Sequence, residues 1–165
     1  MKIAILEDNE ARQEEMQRCL RDRFHQHGIV VFAQSKEMVA YLKENLSDVL
    51  VISLDHDLEL TTQQDGTLVD GGTGREVADY LAQCKPSCPI VIHTTNTPAG
   101  DSMEFLLRDA GWDIRRVHPW GDLEWISSKW IRTLRDAVVG SAQPRAGIAK
   151  SAHPKSHARE ADPNF

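Results

Sequence analysis

Acidic and imidazole side chains recur at four places in the 165-residue chain: Glu7-Asp8, Asp55-His56-Asp57, His93 with Thr94, Thr95 and Asn96 behind it, and His118 before Pro119. Each follows a short apolar run, so each stands where a buried strand opens into polar surroundings. Carboxylates crowded into one crevice repel one another at neutral pH unless some take up protons or a cation sits between them. A divalent cation is the simplest resolution. The hard oxygen donors of Glu7, Asp8, Asp55 and Asp57 point to Mg²⁺ or Mn²⁺, and His56 or His93 at the rim shifts the preference towards Mn²⁺ or a softer metal.

The elements that must position these residues can be read from the pattern. The run KIAIL at residues 2–6 predicts a buried strand, and Asn9 is an N-cap for a helix whose inward stripe is Met16, Leu20 and Phe24, with Gly28 as its stop. A second strand follows at 29–33. Ser35 is expected to cap a helix carrying Met38, Val39, Leu42 and Leu46, and residues 49–54 read as a third strand. From 58 to 73 the chain is polar and carries Asp65-Gly66 and Gly71-Gly72, which predicts a long loop over the site, with Asp65 and Asp70 solvated. A helix from 74 to about 84 presents Val77, Ala78 and Leu81, and Pro86 ends it before a strand at 89–94. Met103, Leu106, Leu107 and Ala110 mark the fourth helix, residues 113–117 the fifth strand, and Leu123, Ile126, Trp130, Leu134 and Val138 a final amphipathic helix. Five strands alternating with five helices require right-handed crossovers, hence a doubly wound five-stranded parallel sheet of order 2-1-3-4-5 that binds ligands at its carboxyl ends.

Length and composition allow one α/β domain, residues 1–139, with a tail at 140–165. The tail loses apolar periodicity and is expected to be disordered, with His153 and His157 solvated. A net charge of -6, with dispersed Lys and Arg, argues against a protein that coats duplex DNA. No apolar run approaches the ~20 residues needed to cross a bilayer. The odd set Cys19, Cys84 and Cys88 and a start that enters a strand directly suggest reduced thiols and a cytoplasmic location. Cys84, Cys88 and His93 could be imagined as a zinc site, but their spacing favours inert thiols. Trp112, Trp120, Trp125 and Trp130 suit core or partner packing, the last helix offers a surface for a protein partner, and Arg75 at a helix start suits either phosphate or a surface salt link.

The acidic pair Glu7-Asp8, the strand-ending Asp55, the hydroxyl of Thr94 and the X-Pro step His118-Pro119 resemble the receiver domains of two-component response regulators over residues 1–139, a flavodoxin-like fold. That resemblance implies that Glu7, Asp8 and Asp55 hold Mg²⁺, that Asp55 accepts a phosphoryl group, and that Thr94 moves to contact it. The chain differs from signalling receivers in having His118 where they place a lysine, and in the stretch 58–72 after the acceptor, which is long enough for a lid. The strings LDHDL at 54–58, TGREVADYL at 73–81 and VIHTTNTPAG at 91–100 resemble the receiver-derived family termed the cyclic-phosphate processing receiver domain. That family is associated with RNA repair and is expected to act on cyclic phosphates.

Opening a 2′,3′-cyclic phosphate requires a metal to polarise the phosphoryl oxygens, an activated water and an acid for the leaving oxygen. The residues meet these needs with Asp8, Asp55 and Asp57 on the metal and Glu7 in support, His56 or His93 as acid or base, and Asn96 and His118 as phosphate donors. Direct attack by Asp55 on phosphorus is the other route. The resulting expectation is a metal-dependent phosphoesterase acting on a small phosphorylated substrate or RNA end. The alternative is a stand-alone receiver phosphorylated on Asp55 in two-component signalling.

Overall fold

The structure, a computed structural model, describes residues 1–62 and 66–142. Five parallel strands form its sheet: β1 (Lys2–Leu6), β2 (Gly28–Phe32), β3 (Val49–Leu54), β6 (Ile90–His93) and β7 (Ile114–Val117), in the order β2-β1-β3-β6-β7. This is the doubly wound order expected from the alternating pattern. Between β3 and β6 the chain adds two short antiparallel strands, β4 (Leu60–Thr62) and β5 (Leu68–Asp70), which pair only with each other. The stretch read as an irregular loop therefore contains a hairpin, whose Leu60 and Leu68 stand exposed outside the core. Asp65 lies outside the described residues.

Strand pleating decides which face each side chain takes. Ile3, Ile5, Val51 and Val91 pack beneath α1 (Glu10–Arg23), a π-helical turn at Ile126–Trp130 and α5 (Ile131–Ala142). Ala4, Leu6, Ile52, Leu54, Ile90 and Ile92 pack beneath α2 (Ser35–Asn45), α3 (Gly74–Leu81) and α4 (Thr97–Asp109). The stripe of the last helix is thus used on the core: Trp130 and Leu134 are fully buried, as is Trp125. Trp112 is buried as well, whereas Trp120 is exposed.

Several local expectations change. Asn9 does cap α1, its side-chain oxygen accepting from Arg12 N–H at 3.0 Å. Ser35 is not a cap: Gln34 occupies that position, and the Ser35 hydroxyl, fully buried, donates instead to Glu76 on α3. The final helix runs on to Ala142, past the boundary expected at 139, and residues 143–165 lie outside the described residues. All three cysteines are free, and burial pushes the Cys88 thiol up to about 12. Among the described residues no helix is long and apolar enough to cross a membrane.

Candidate metal centre

The ends of β1, β3 and β6 are adjacent, and their register aligns the chemistry. Leu6 pairs with Leu54 and Leu54 with Ile92, so the next residues, Glu7, Asp55 and His93, form a row across the sheet. The ladder continues into that row, with Asp55 N–H donating to Leu6 O and Glu7 N–H to Phe32 O, both at 3.0 Å. Their odd numbers place the three side chains on the α1/α5 side. Donor atoms from Glu7, Asp55 and His93 lie within 4.8 Å of one another, and all three residues are buried.

His93 is held from behind. Trp130 Nε1–H donates to Ser53 Oγ at 2.9 Å, and Ser53 Oγ lies 2.9 Å from His93 Nδ1. The imidazole also stacks on Trp125 with ring centroids 5.7 Å apart. The ring is thereby fixed with Nε2 aimed at Glu7, 3.3 Å from Oε2. Yet neither atom has a hydrogen-bond partner, because the approach lacks the required geometry, and both are buried. Apart from this 3.3 Å approach to one another, the two buried atoms have no hydrogen-bond partner, so both are left available to a ligand between them. They are also about as far apart as two donors bound ~2.1 Å from one ion. The residues present therefore fit a divalent cation. For Nε2 to serve as a ligand, Nδ1 must carry the proton and donate it to Ser53, an orientation role that a hydroxyl behind a ligating histidine performs well.

Electrostatics divides the two acids. Burial opposes the Glu7 charge, but His93, the Asn9 N–H and Arg12 together hold its carboxyl below the ordinary range. Burial also dominates at Asp55 and, with Glu7 adding to it, pushes the carboxyl up to about 6 against the pull of His93, the His56 N–H and Arg12. Arg12, from the first turn of α1, faces both acids. Its Nη1 stands 3.6 Å from Asp55 Oδ2 and 3.8 Å from Glu7 Oε1, and its guanidinium lies over the Trp125 ring at 5.9 Å.

The other acids expected at the metal have different partners. Asp8, half-buried, accepts from Glu59 N–H at 2.6 Å and so ties the start of the hairpin to the end of β1. Asp57 is exposed and its Oδ1 lies 2.7 Å from His56 Nδ1, while Asn96 Nδ2 donates to the same oxygen at 3.2 Å. The geometry thus groups Glu7 and Asp55 with His93, and makes Asp57 the orienter of His56. Asn96 also caps α4 by accepting from Ala99 N–H at 3.2 Å. Thr94 is buried beside it, its Oγ1 accepting from Asn96 N–H at 3.1 Å. His118 is exposed. Arg75 is engaged by Asp79 and Ser102 at 2.7 and 2.5 Å.

Sequence reasoning overlooked Arg12 and Ser53, and gave Trp125 and Trp130 core or partner packing without a role behind His93. Parity was the available signal for Ser53, which lies two residues before Asp55 on the same face; nothing local marked Arg12. Gly74 was also silent: α3 starts so close to β3 that a Cβ there would collide with Asp55 O, and Gly74 N–H donates to His56 O at 2.9 Å.

Solved structures share the fold. The phosphorylated cyanobacterial phytochrome response regulator RcpA is 21% identical, with 86% of this chain and 96% of that chain covered at a TM-score of 0.64. A response regulator receiver domain from Rhodospirillum rubrum is 16% identical over 87% of this chain and 96% of that chain, with a TM-score of 0.60. The Mn²⁺-bound form of response regulator Rcp1 is 18% identical over 80% and 95% of the respective chains, with a TM-score of 0.56. No curated protein matches the sequence. Residues 3–109, which carry β1 to α4 and the whole Glu7–Asp55–His93 row, match the family described as the cyclic-phosphate processing receiver domain, and the chain belongs to that family.

Proposed function

We propose that the protein is a metal-dependent phosphoesterase that opens a cyclic phosphate, of the 2′,3′-cyclic nucleotide or RNA-end class. The observation that carries this reading is a buried ligand row with two orphaned donor atoms, Glu7 Oε2 and His93 Nε2, beside an oriented histidine at the rim. Glu7, Asp55 and His93 hold Mn²⁺ or Mg²⁺, and the nitrogen ligand favours Mn²⁺. Such an ion, when bound, supplies Lewis-acid polarisation of the phosphoryl oxygens. His56, its Nδ1 engaged by Asp57, presents Nε2 as the group that moves protons. The balanced reaction adds water: a water oxygen bonds to phosphorus, one ester P–O bond of the ring breaks, and His56 takes the water proton and returns one to the departing ribose oxygen. The product is a phosphomonoester with a free neighbouring hydroxyl. Asn96 holds Asp57, and through it the His56 ring. The substrate is a small phosphorylated molecule or RNA end, met in the cytosol.

The test is a panel of 2′,3′-cyclic mononucleotides and cyclic-phosphate RNA ends with Mn²⁺ or Mg²⁺. Turnover that disappears in Asp55→Asn and falls by about 10²-fold or more in His56→Gln is expected. Absence of turnover in the wild type, or full turnover in Asp55→Asn, removes the proposal. A second reading, a receiver switch phosphorylated on Asp55, draws support from Asp55 following β3 and the Thr94 hydroxyl following the adjacent strand β6. Acid-labile phosphate incorporated from a small phosphodonor without cyclic-phosphate turnover, and lost in Asp55→Asn, decides for it.

A further inference from the structure

The guanidinium of Arg12 is a cation with unused donors. It is about one-third exposed, with 30% of its side chain accessible, and its Cζ lies over the Trp125 ring, 5.9 Å from the centroid. Its nearest acids, Asp55 and Glu7, stand 3.6 and 3.8 Å from Nη1, beyond hydrogen-bond range, and among the described residues no hydrogen bond leaves its side chain. Arg18, Arg75 and Arg108, by contrast, each donate to a carboxylate at 2.7 Å or less. Five N–H donors in a rigid fork, placed at the mouth of a ligand row and left without acceptors, match the oxygens of a tetrahedral phosphoryl group.

The position follows from local structure. Asn9 caps α1 through the Arg12 N–H, which fixes Arg12 in the first turn. Side chains on a helix lean towards its N-terminus, so this one reaches back over the ends of β1 and β3. Trp125, placed by the turn that leads into α5, gives the planar group a face to rest on. His118, which follows β7, is exposed.

We infer that Arg12 is the phosphoryl anchor of this site: in the unliganded protein it balances Asp55 and Glu7 at a distance, and when a cation takes over that role its fork binds the phosphoryl oxygens of the ligand. This deepens the phosphoesterase reading and rests on it for the substrate, but binding of phosphate itself does not require turnover.

The experiment uses the full chain, wild type against Arg12→Ala and Arg12→Lys, with two titrations followed by tryptophan fluorescence: Mn²⁺ alone, then inorganic phosphate at saturating Mn²⁺. Arg12→Ala is expected to bind Mn²⁺ more tightly, because a competing positive charge is gone, and phosphate about tenfold more weakly or worse. Arg12→Lys keeps the charge and so the wild-type Mn²⁺ affinity, yet loses much of the phosphate affinity because an ammonium has no fork. A purely structural Arg12 moves neither the phosphate constant nor the Ala-against-Lys contrast. Phosphate binding in Arg12→Ala equal to wild type, or none in the wild type, overturns the anchor. Arg12-dependent phosphate binding in a protein that opens no cyclic phosphate sustains the anchor and removes the phosphoesterase.

Discussion

Replacing Asp55 by asparagine is expected to stabilise the metal-free protein at pH 8, although it removes a residue at the centre of the site. Asp55 is pushed from 3.8 to about 6, first by burial and then by Glu7, with His93, the His56 N–H and Arg12 pulling the other way. A carboxyl that holds its proton more tightly folded than unfolded favours the fold fully below the unfolded value, and that contribution is lost as pH rises through the folded one. The window therefore runs from 3.8 to about 6. At about 1.4 kcal/mol for each tenfold change in proton affinity, the ionised side chain costs the metal-free fold on the order of 3 kcal/mol at pH 8. Asparagine keeps an oxygen for the His56 N–H, which now donates to Asp55 Oδ1 at 2.6 Å, but deprives Arg12 of one of its two acids. The net gain is about 1–3 kcal/mol, roughly 3–10 °C in Tm for a chain of this size. Thermal unfolding of both proteins in EDTA at pH 8 and pH 4.5 measures it, and the gap should shrink to about a third at the lower pH, where the folded carboxyl is protonated but the unfolded one is still largely ionised. Saturating Mn²⁺ at pH 8 should reverse the order, since binding raises the melting temperature of wild type far more than of the variant. A metal-free variant that melts below wild type at pH 8, or a gap as large at pH 4.5 as at pH 8, refutes the reasoning.

Gly74→Ala drives a methyl into Asp55 O, a backbone atom that cannot swing aside, so stability should drop by about 2 kcal/mol or more and the Mn²⁺-induced rise in Tm should shrink with it. A melt like that of wild type would show that α3 can slide away from β3. Ser53→Ala orphans Trp130 Nε1–H and His93 Nδ1 in the core, at about 1–3 kcal/mol for each group, and frees the imidazole to turn. Chemical denaturation reads the stability, and a Mn²⁺ titration should show weaker binding; unchanged affinity would mean that Ser53 does not orient the ligand. Asp57→Asn should slow turnover while leaving Mn²⁺ affinity within about twofold, because Asp57 contacts His56 and Asn96 and is not in the ligand row. A large loss of Mn²⁺ binding would return Asp57 to the metal.

Much of this protein was legible before any coordinates. Runs such as KIAIL and VLVISL are apolar on both faces, as only a strand covered by helices on both sides can be, and alternation with helical stripes leaves little freedom in topology. Because ligands bind at the carboxyl ends of such strands, Glu7, Asp55 and His93 were already neighbours in principle. What alternation cannot state is pairing register, and register alone decides that the row is Glu7–Asp55–His93, with Asp8 tied to Glu59 and Asp57 turned to His56. Ser35 looked like a cap because its type suits one, and Glu76, 41 residues away, claimed its hydroxyl. Arg12 had no local signature, since an arginine in a first helical turn is ordinary there, and Ser53 had only its parity with Asp55. Their roles arise where α1, the Trp125–Trp130 turn and three strand ends converge, and convergence of distant segments is a property of packing that one-dimensional pattern does not carry.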